Sequence, residues 1–324
     1  MEADQLRIVA EFAALAPSVH NTQPWRFVAR PYMLEIHTDP QRGLRYLDPD
    51  GRQMHLSCGV AAEFARLAIR FLGLSCTIRL LPDPTHESLV ARLVVGSFEP
   101  VTLAEQRLIE AIPRRYTDRG PYRDEPVSRL SLQLMREAAS ERRCWLRVID
   151  RADDRLTAIR LLETAEGIET GEAAYRDELY RWQRLGPSLD GVPVEPPADW
   201  EAQHRVSDVP LRDFGGSGVH PDPGEGEPHT VERDTVVLLG TDQDDRRSWL
   251  QAGRALADVL LVLTHEGLVS QPLGPVLDLP ATREQLRREV GLVGHPQMLL
   301  RVGHGQRLPI ARRRPIDEML TVVR

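Results

Sequence analysis

The same order of predicted elements occurs twice in the chain, and this repetition limits the folds that it can adopt. In each copy a short helix and a polar loop lead to strands, and a long apolar helix follows. Apolar periodicity predicts the two long helices at Arg52–Leu72 and Arg247–Glu266, and each ends at a Gly-Leu pair. The repetition predicts an α+β protein of two related halves, 1–101 and 102–324, which pack together as a homodimer does.

The remaining elements follow from local signals. Helical spacing predicts helices over 2–15, after Ser128 and over 153–185. Two capping boxes, Thr102-x-x-Glu105 and Thr282-x-x-Gln285, each predict the start of a short helix. The predicted strands are 25–29, 32–37, 75–81, 91–96, 144–149, 235–240 and 297–303.

Residues 186–233 interrupt the second half with closely spaced prolines and glycines. An irregular segment of this length is uncommon inside a compact protein, and it is typical of a functional lid or of a disordered linker. We interpret it as a lid-like insert, because it divides two otherwise regular parts of one half.

Composition excludes several classes of function. All 41 basic residues are arginine, so neither a lysine Schiff base nor the lysine of a phosphate-binding P-loop is available. The net charge of −7 argues against a general nucleic-acid or anionic-membrane binder. The three cysteines are widely spaced without metal-ligand spacing, which predicts buried thiols, no metal site and a reducing cytoplasm. We expect neither a signal peptide nor a membrane span.

The first polar loop, APSVHNTQPWRF at 16–27, is dense in hydrogen-bonding side chains and ends in a tryptophan. Such a segment suits the binding of a flat heteroaromatic ligand. A connection whose polar groups satisfy its own backbone, with Trp25 in the core, is an equally good interpretation of the residues alone.

The second polar loop, PRRYTDR at 113–119, follows a predicted helix and carries three arginines around a threonine. Forked guanidinium donors suit a phosphate, although a solvated charged turn would have the same composition. A similar cluster, 312–314, lies near the C-terminus. The two clusters support one anion site only if the fold brings them together.

These motifs together resemble the nitroreductase-fold FMN proteins, and among them the single-chain Acg-like family, in which one chain holds two nitroreductase-like halves. The resemblance covers the whole chain and implies that the first loop lies against the flavin. It also implies that the second loop and the C-terminal arginines hold the FMN phosphate and ribityl chain, and that 267–274 lies near the flavin ring. The residues that it assigns to the cofactor are Ser18, His20, Asn21, Gln23, Pro24, Trp25, Arg26, Arg114, Arg115, Thr117, Arg119, Pro272, Leu273, Arg313 and Arg314.

Each motif occurs in one half only, so the resemblance implies one FMN per chain rather than two. It also implies chemistry centred on the flavin, without a catalytic side-chain triad. A fixed cation that stabilises the reduced flavin must then be arginine, and Arg26 and Arg119 are the candidates.

Two functions fit this resemblance. The first is an oxidoreductase that passes hydride from NAD(P)H to a nitroaromatic, quinone or similar small-molecule acceptor. The second is a stress-related protein that sequesters FMN beneath its lid with little or no turnover. Either would act as a monomeric pseudo-dimer or as a homodimer.

Overall fold

The first half forms an antiparallel sheet covered by helices. The computed structural model describes residues 3–120, 122–193, 234–305 and 311–323. The elements of the first half are α1 (Ala3–Ala14), β1 (Trp25–Arg30), β2 (Met33–Thr38), α2 (Arg52–Phe71), β3 (Leu74–Leu80) and β4 (Leu89–Phe98). The sheet order is β1-β2-β4-β3, and α2 packs against its inner face.

The second half contains a sheet of the same design. Its elements are α3 (Leu103–Ala111), α4 (Arg129–Glu141), β5 (Trp145–Val148), α5 (Ala152–Gly171), α6 (Ala173–Trp182), β6 (Gln183–Arg184), β7 (Val192–Pro193), β8 (Thr235–Thr241), α7 (Arg246–His265), β9 (Val269–Pro272), α8 (Pro275–Asp278), α9 (Pro280–Glu289) and β10 (His295–Gly303). The order β5-β8-β10-β9 is again first, second, fourth, third, with every pair antiparallel and the long helix between the second and third strands. The α+β class is therefore confirmed.

The two long helices pack directly on each other at a pair of glycines. A Cβ added to Gly59 of α2 would lie 2.2 Å from the Leu250 carbonyl oxygen, and one added to Gly253 of α7 would lie 2.1 Å from that of Leu56. The contacts are reciprocal. Gly59 meets Leu250, three residues before Gly253, and Gly253 meets Leu56, three residues before Gly59. Reciprocity of this kind is the mark of a two-fold interface.

Arginines at the start of each long helix reach into the opposite half. Arg52 donates to the carbonyl oxygens of Leu277 at 2.8 Å and Gln297 at 2.7 Å. Arg247 of α7 donates in turn to the carbonyl oxygen of Leu80 at 3.0 Å. Each guanidinium thus binds backbone carbonyl oxygens of the other half, which helps to fix the two halves relative to each other.

Most local signals have the expected outcome. The capping box of Thr102 and Glu105 has both of its hydrogen bonds, and the glycines that end the long helices, Gly73 and Gly267, have φ of 75° and 76°. The capping box predicted at Thr282 is wrong. The helix begins earlier, at Pro280, which suits the first helical position, and the Thr282 hydroxyl donates to carbonyl oxygens instead.

The sequence pattern missed five elements: the short strands β6 and β7, strand β9, helix α8 and a last strand, β11 (Leu320–Val322), which pairs in parallel with β1. The chain end thereby joins the sheet of the first half. Of the predicted insert, residues 194–233 lie outside the described residues. Within the described ranges, no helix is both long and apolar enough to cross a membrane, and no group of three acidic, histidine or cysteine side chains is placed to bind a metal.

The helix crossing predicts a site that does not tolerate a methyl group. Gly253→Ala should destabilise the protein by about 2 kcal/mol, because the helices must separate to admit the Cβ. Gly167→Ala on α5 is the control, since no atom lies within 4 Å of its added Cβ, and it should stabilise by about 0.5 kcal/mol. Urea unfolding measures both, and equal effects would contradict the close crossing.

Candidate functional site

The first polar loop follows an unusual backbone path between α1 and β1. Three residues other than glycine, His20, Asn21 and Gln23, have φ near +50°. Left-handed backbone at such residues costs of order 1 kcal/mol each and is concentrated at functional sites. The Ser18 hydroxyl stabilises this path by accepting a hydrogen bond from the Gln23 backbone N–H at 2.8 Å.

The Gln23 side chain joins three segments of the chain. It is completely buried, and its amide nitrogen donates to the carbonyl oxygens of Asn21 at 3.2 Å and Leu189 at 2.8 Å. Its amide oxygen accepts the backbone N–H of Arg314 at 2.9 Å. Hydrogen bonds therefore connect the loop both to the C-terminal segment at Arg314 and to the segment around Leu189.

The C-terminal arginines lie at the end of α1. Arg313 donates to the carbonyl oxygens of Leu15 at 3.1 Å and Ala16 at 3.2 Å, where the helix presents the negative end of its dipole. The Asn21 side chain donates to the carbonyl oxygen of Arg312 at 3.2 Å. The first loop and the tail, which are about 290 residues apart in sequence, therefore form one surface.

Arg115 is the second cation of this region. Its side chain is 5% exposed, and among the described residues no carboxylate pairs with it and nothing accepts its Nε proton. Burial, followed by the positive charge of Arg313, lowers the pKa of Arg115 to about 9, and burial lowers the pKa of Arg313 to about 10. One buried and one half-buried guanidinium that repel each other, with no carboxylate partner among the described residues, form a surface that suits an anion.

The second polar loop runs along β9. The backbone N–H of Asp118 donates to the carbonyl oxygen of Ser270 at 3.1 Å, and Thr117 forms a parallel bridge with Ser270. The PRRYTDR and GLVSQPLG segments are therefore neighbours. The fold brings together the four segments that the sequence singled out.

Each of these four segments also contains a buried polar atom that has no hydrogen-bond partner among the described residues. Buried polar groups are rarely left without a partner, and such atoms mark a surface that a ligand completes. The atoms are Asn21 Oδ1 and Trp25 Nε1 in the first loop, Arg115 Nε in the second, Gln271 Oε1 in β9 and Arg314 Nη1 in the tail.

The other predicted site residues lie in several environments. His20 and Pro24 are buried, and the Trp25 ring is fully enclosed in the main core beside Phe27. Thr117 and Arg119 are partly buried within the second loop.

Three of the other predicted residues are exposed, and one lies in a separate core. Arg26 lies on the exposed face of β1, and Arg114 is exposed, with its Nε donating to the carbonyl oxygen of Glu110. Pro272 is exposed, and Leu273 belongs to the separate apolar core under α5 and α9.

Sequence reasoning missed residues that complete the site from a distance. Gln271 lies inside a segment that we selected for its glycines, and its buried amide carries no sequence signal. Leu189 and Asp190 approach the first loop only because α5 and α6 fold back over the first half.

The cysteines do not supply a nucleophile. None forms a disulfide, and burial raises the pKa of each thiol, to about 12 for Cys76 and Cys144. The thiols therefore stay protonated at neutral pH, where a reactive cysteine would be ionised. The site as a whole can bind an anion beside a polar, partly aromatic surface, with no nucleophile among these thiols.

Comparison with known proteins gives close relatives over the full length. The chain is 37% identical over 330 residues to "Putative NAD(P)H nitroreductase Rv3131" of Mycobacterium tuberculosis H37Rv, covering 98% of this chain and 92% of the relative. It is 28% identical over 327 residues to "Putative NAD(P)H nitroreductase acg" of the same strain, covering 98% and 96%. No family model matches the chain.

Solved structures give a more distant likeness. The FMN and NADPH-dependent nitroreductase NfnB from a Sphigopyxis strain overlaps 66% of this chain and 97% of its own, with 17% identity and a TM-score of 0.40. A nitroreductase with bound FMN from Desulfitobacterium hafniense overlaps 67% and 98%, with 13% identity and the same TM-score.

Proposed function

Because the chain belongs to the Acg-like family of nitroreductases, we propose that it is an FMN-binding oxidoreductase that takes hydride from NAD(P)H. The electron acceptor would be a nitroaromatic, a quinone or a similar small molecule. Three cysteines without a disulfide suit a cytoplasmic protein.

The observation that carries the proposal is the uncompensated positive charge of Arg115 and Arg313. A phosphate monoester carries close to two negative charges at neutral pH and accepts several hydrogen bonds. Binding it would give Arg115 the counter-ion that the described residues lack. A deeply buried, unpaired arginine lowers the stability of the protein alone, so its presence favours a resident anionic ligand over a purely structural role.

The remaining residues fit a flavin mononucleotide around that phosphate. Asn21 Oδ1 and Gln271 Oε1 offer acceptors to a heteroaromatic ring with polar edges. Bound FMN would supply hydride transfer between the two substrates, and the chain would supply binding and orientation. Of the two cations suggested for stabilising reduced flavin, Arg119 is the better candidate, because Arg26 is exposed.

We propose one FMN per chain, with halves divided at residues 1–101 and 102–324. The matching sheet orders and the reciprocal helix crossing support the division. Between α4 and β5 the second half has only Arg142–Cys144, where the first half has the loop from Leu15 to Pro24. Arg142 binds the buried Glu63 at 2.8 Å, so the corresponding position of the second half is filled by protein charges.

The stoichiometry is a direct test. The purified protein should be yellow, and its flavin and protein absorbance should give one FMN per chain at saturation. Heat release followed by chromatography identifies the flavin as FMN. Two tightly bound FMN per chain would contradict the single site, and a protein that binds no flavin would contradict the proposed function.

Anaerobic reduction tests for turnover. Rapid bleaching of the flavin by NADPH or NADH, followed by reoxidation with a nitroaromatic or quinone, is expected of the oxidoreductase. One contact favours the second candidate, the flavin-sequestering protein. Leu189 accepts a hydrogen bond from Gln23, so the segment around Leu189 covers part of the first loop. Bound flavin that neither nucleotide reduces would support the flavin-sequestering protein instead.

A further inference from the structure

Helix α6 and the residues that follow it, up to 193, pack on the first half next to the first loop. The Glu178 carboxylate of α6 accepts the backbone N–H groups of Arg45 at 2.5 Å and Leu47 at 3.0 Å, and that of Tyr46 between them. Leu44, Leu47 and Tyr175 bury an apolar cluster beneath this contact. The segment between β2 and α2 is therefore covered by α6.

Arg42 connects this docked segment to the loop. Its Nε donates to the carbonyl oxygen of Thr22, and its Nη2 donates to Asp190 Oδ2 at 2.5 Å. Its guanidinium also lies over the Trp182 ring, 5.1 Å from the centroid. Arg184 binds the other oxygen of Asp190 at 3.0 Å, and among the described residues it makes no hydrogen bond with the first loop.

We propose that Arg42 is a positioning residue that holds the first loop in its flavin-binding conformation and couples it to the segment around Asp190. The proposal rests on the proposed function, because it assigns Arg42 a part in holding FMN. We call Arg42, Asp190, Trp182 and the Thr22 carbonyl the Arg42 clamp.

The position of Thr22 explains why the loop needs such a contact. Thr22 lies between Asn21 and Gln23, both left-handed, so its buried carbonyl points where relaxed backbone would not direct it. A charge-assisted hydrogen bond from a guanidinium offsets part of this strain, and the fork of the guanidinium can bind Asp190 at the same time.

Asp190 remains ionised within the clamp. Partial burial alone would raise the pKa of Asp190, but hydrogen bonds from Arg42 and Arg184 lower it below its ordinary value. Arg42 and Asp190 are about four-fifths buried, with 19% and 21% side-chain exposure, so salt screens their attraction less than that of a surface pair.

The test compares two arginines that bind the same carboxylate. Arg42→Gln should speed FMN dissociation about tenfold, whereas Arg184→Gln, which leaves the Thr22 contact intact, should change it less than about twofold. Arg42→Lys keeps the charge and one donor and should fall between them. The double variant Arg42→Gln with Asp190→Asn should be no worse than Arg42→Gln alone, because the two act as a unit.

A second measurement separates this proposal from the flavin assignment. In protein stripped of FMN, Arg42→Gln should increase hydrogen exchange of the amides of residues 18–24, and Arg184→Gln should not. Equal effects of the two variants on exchange and on FMN release would overturn the clamp. A wild-type chain that binds no FMN but shows the exchange difference would overturn the proposed function and leave the clamp as a loop-positioning device.

Discussion

Replacing Arg115 by methionine should lower FMN affinity about 100-fold and at the same time stabilise the flavin-free protein by about 2 kcal/mol. The affinity falls because a buried guanidinium bonded to phosphate is lost. The stability rises because the same guanidinium, without its anion, is a buried charge with no carboxylate partner in the described chain. Opposite changes in binding and stability distinguish a ligand site from a structural ion pair.

The pH range of the stabilisation follows from the pKa of Arg115, which is lowered to about 9. Below that pH the arginine is charged in both folded and unfolded chains, so the advantage of the variant is constant. The advantage of methionine should therefore be the same at every pH from about 6 to 8.

Arg114→Met is the matched control. Arg114 is adjacent in sequence but exposed, and its Nε donates only to the Glu110 carbonyl oxygen. FMN titration by fluorescence quenching and urea unfolding of the flavin-free chain should both change little. Equal losses of affinity in the two variants would mean that PRRYTDR acts only through its net charge, and lower stability of flavin-free Arg115→Met would remove Arg115 from the anion site.

These neighbouring arginines also show where sequence reasoning ends. A short helical turn over Ile112–Arg114 follows α3, and its geometry directs one side chain outward and the next inward. Residue type alone gives both the same prediction. Gln23 is a similar case, since its motif suggests a ligand contact, whereas its amide is engaged by Leu189 and by the backbone of Arg314.

Short-range sequence signals, between residues a few positions apart, predicted most of the helices and strands. Apolar spacing marked the long helices, and the glycines after them have the left-handed backbone that ends a helix. The capping box at Thr282 was wrong because Pro280, two residues earlier, is the better first residue. Strand β11 was missed because three residues become a strand only when β1 is there to pair with them.

The central charge cluster between the two halves has one completely buried carboxylate that three arginines share. Glu63 of α2 is completely buried and accepts hydrogen bonds from Arg66, from Arg142 at 2.8 Å and from Arg254 of α7 at 2.8 Å. Burial alone would raise the pKa of Glu63, but the three arginines lower it below its ordinary value of 4.5. Asp258 beside them shifts the opposite way, because burial and then the charge of Glu63 raise its pKa.

Glu63→Gln should therefore destabilise the protein by about 4 kcal/mol at neutral pH, since it removes the buried carboxylate that the three mostly buried guanidinium groups share. A group whose pKa is lowered on folding stabilises above its unfolded pKa and loses that effect as pH falls. The difference between wild type and variant should thus shrink below pH 4.5, where the unfolded chain takes up a proton, while native Glu63 stays ionised until its own pKa of about 2.

Glu289→Gln is the control, because Glu289 forms an exposed pair with Arg160 at 2.6 Å, and the variant should change the stability little. Urea unfolding from pH 3 to 8 measures both variants. A Glu63→Gln effect that is small or independent of pH would mean that water reaches the cluster and that the halves are joined mainly by the apolar crossing at Gly59 and Gly253. A large effect that declines in acid makes Glu63 the electrostatic centre of the interface.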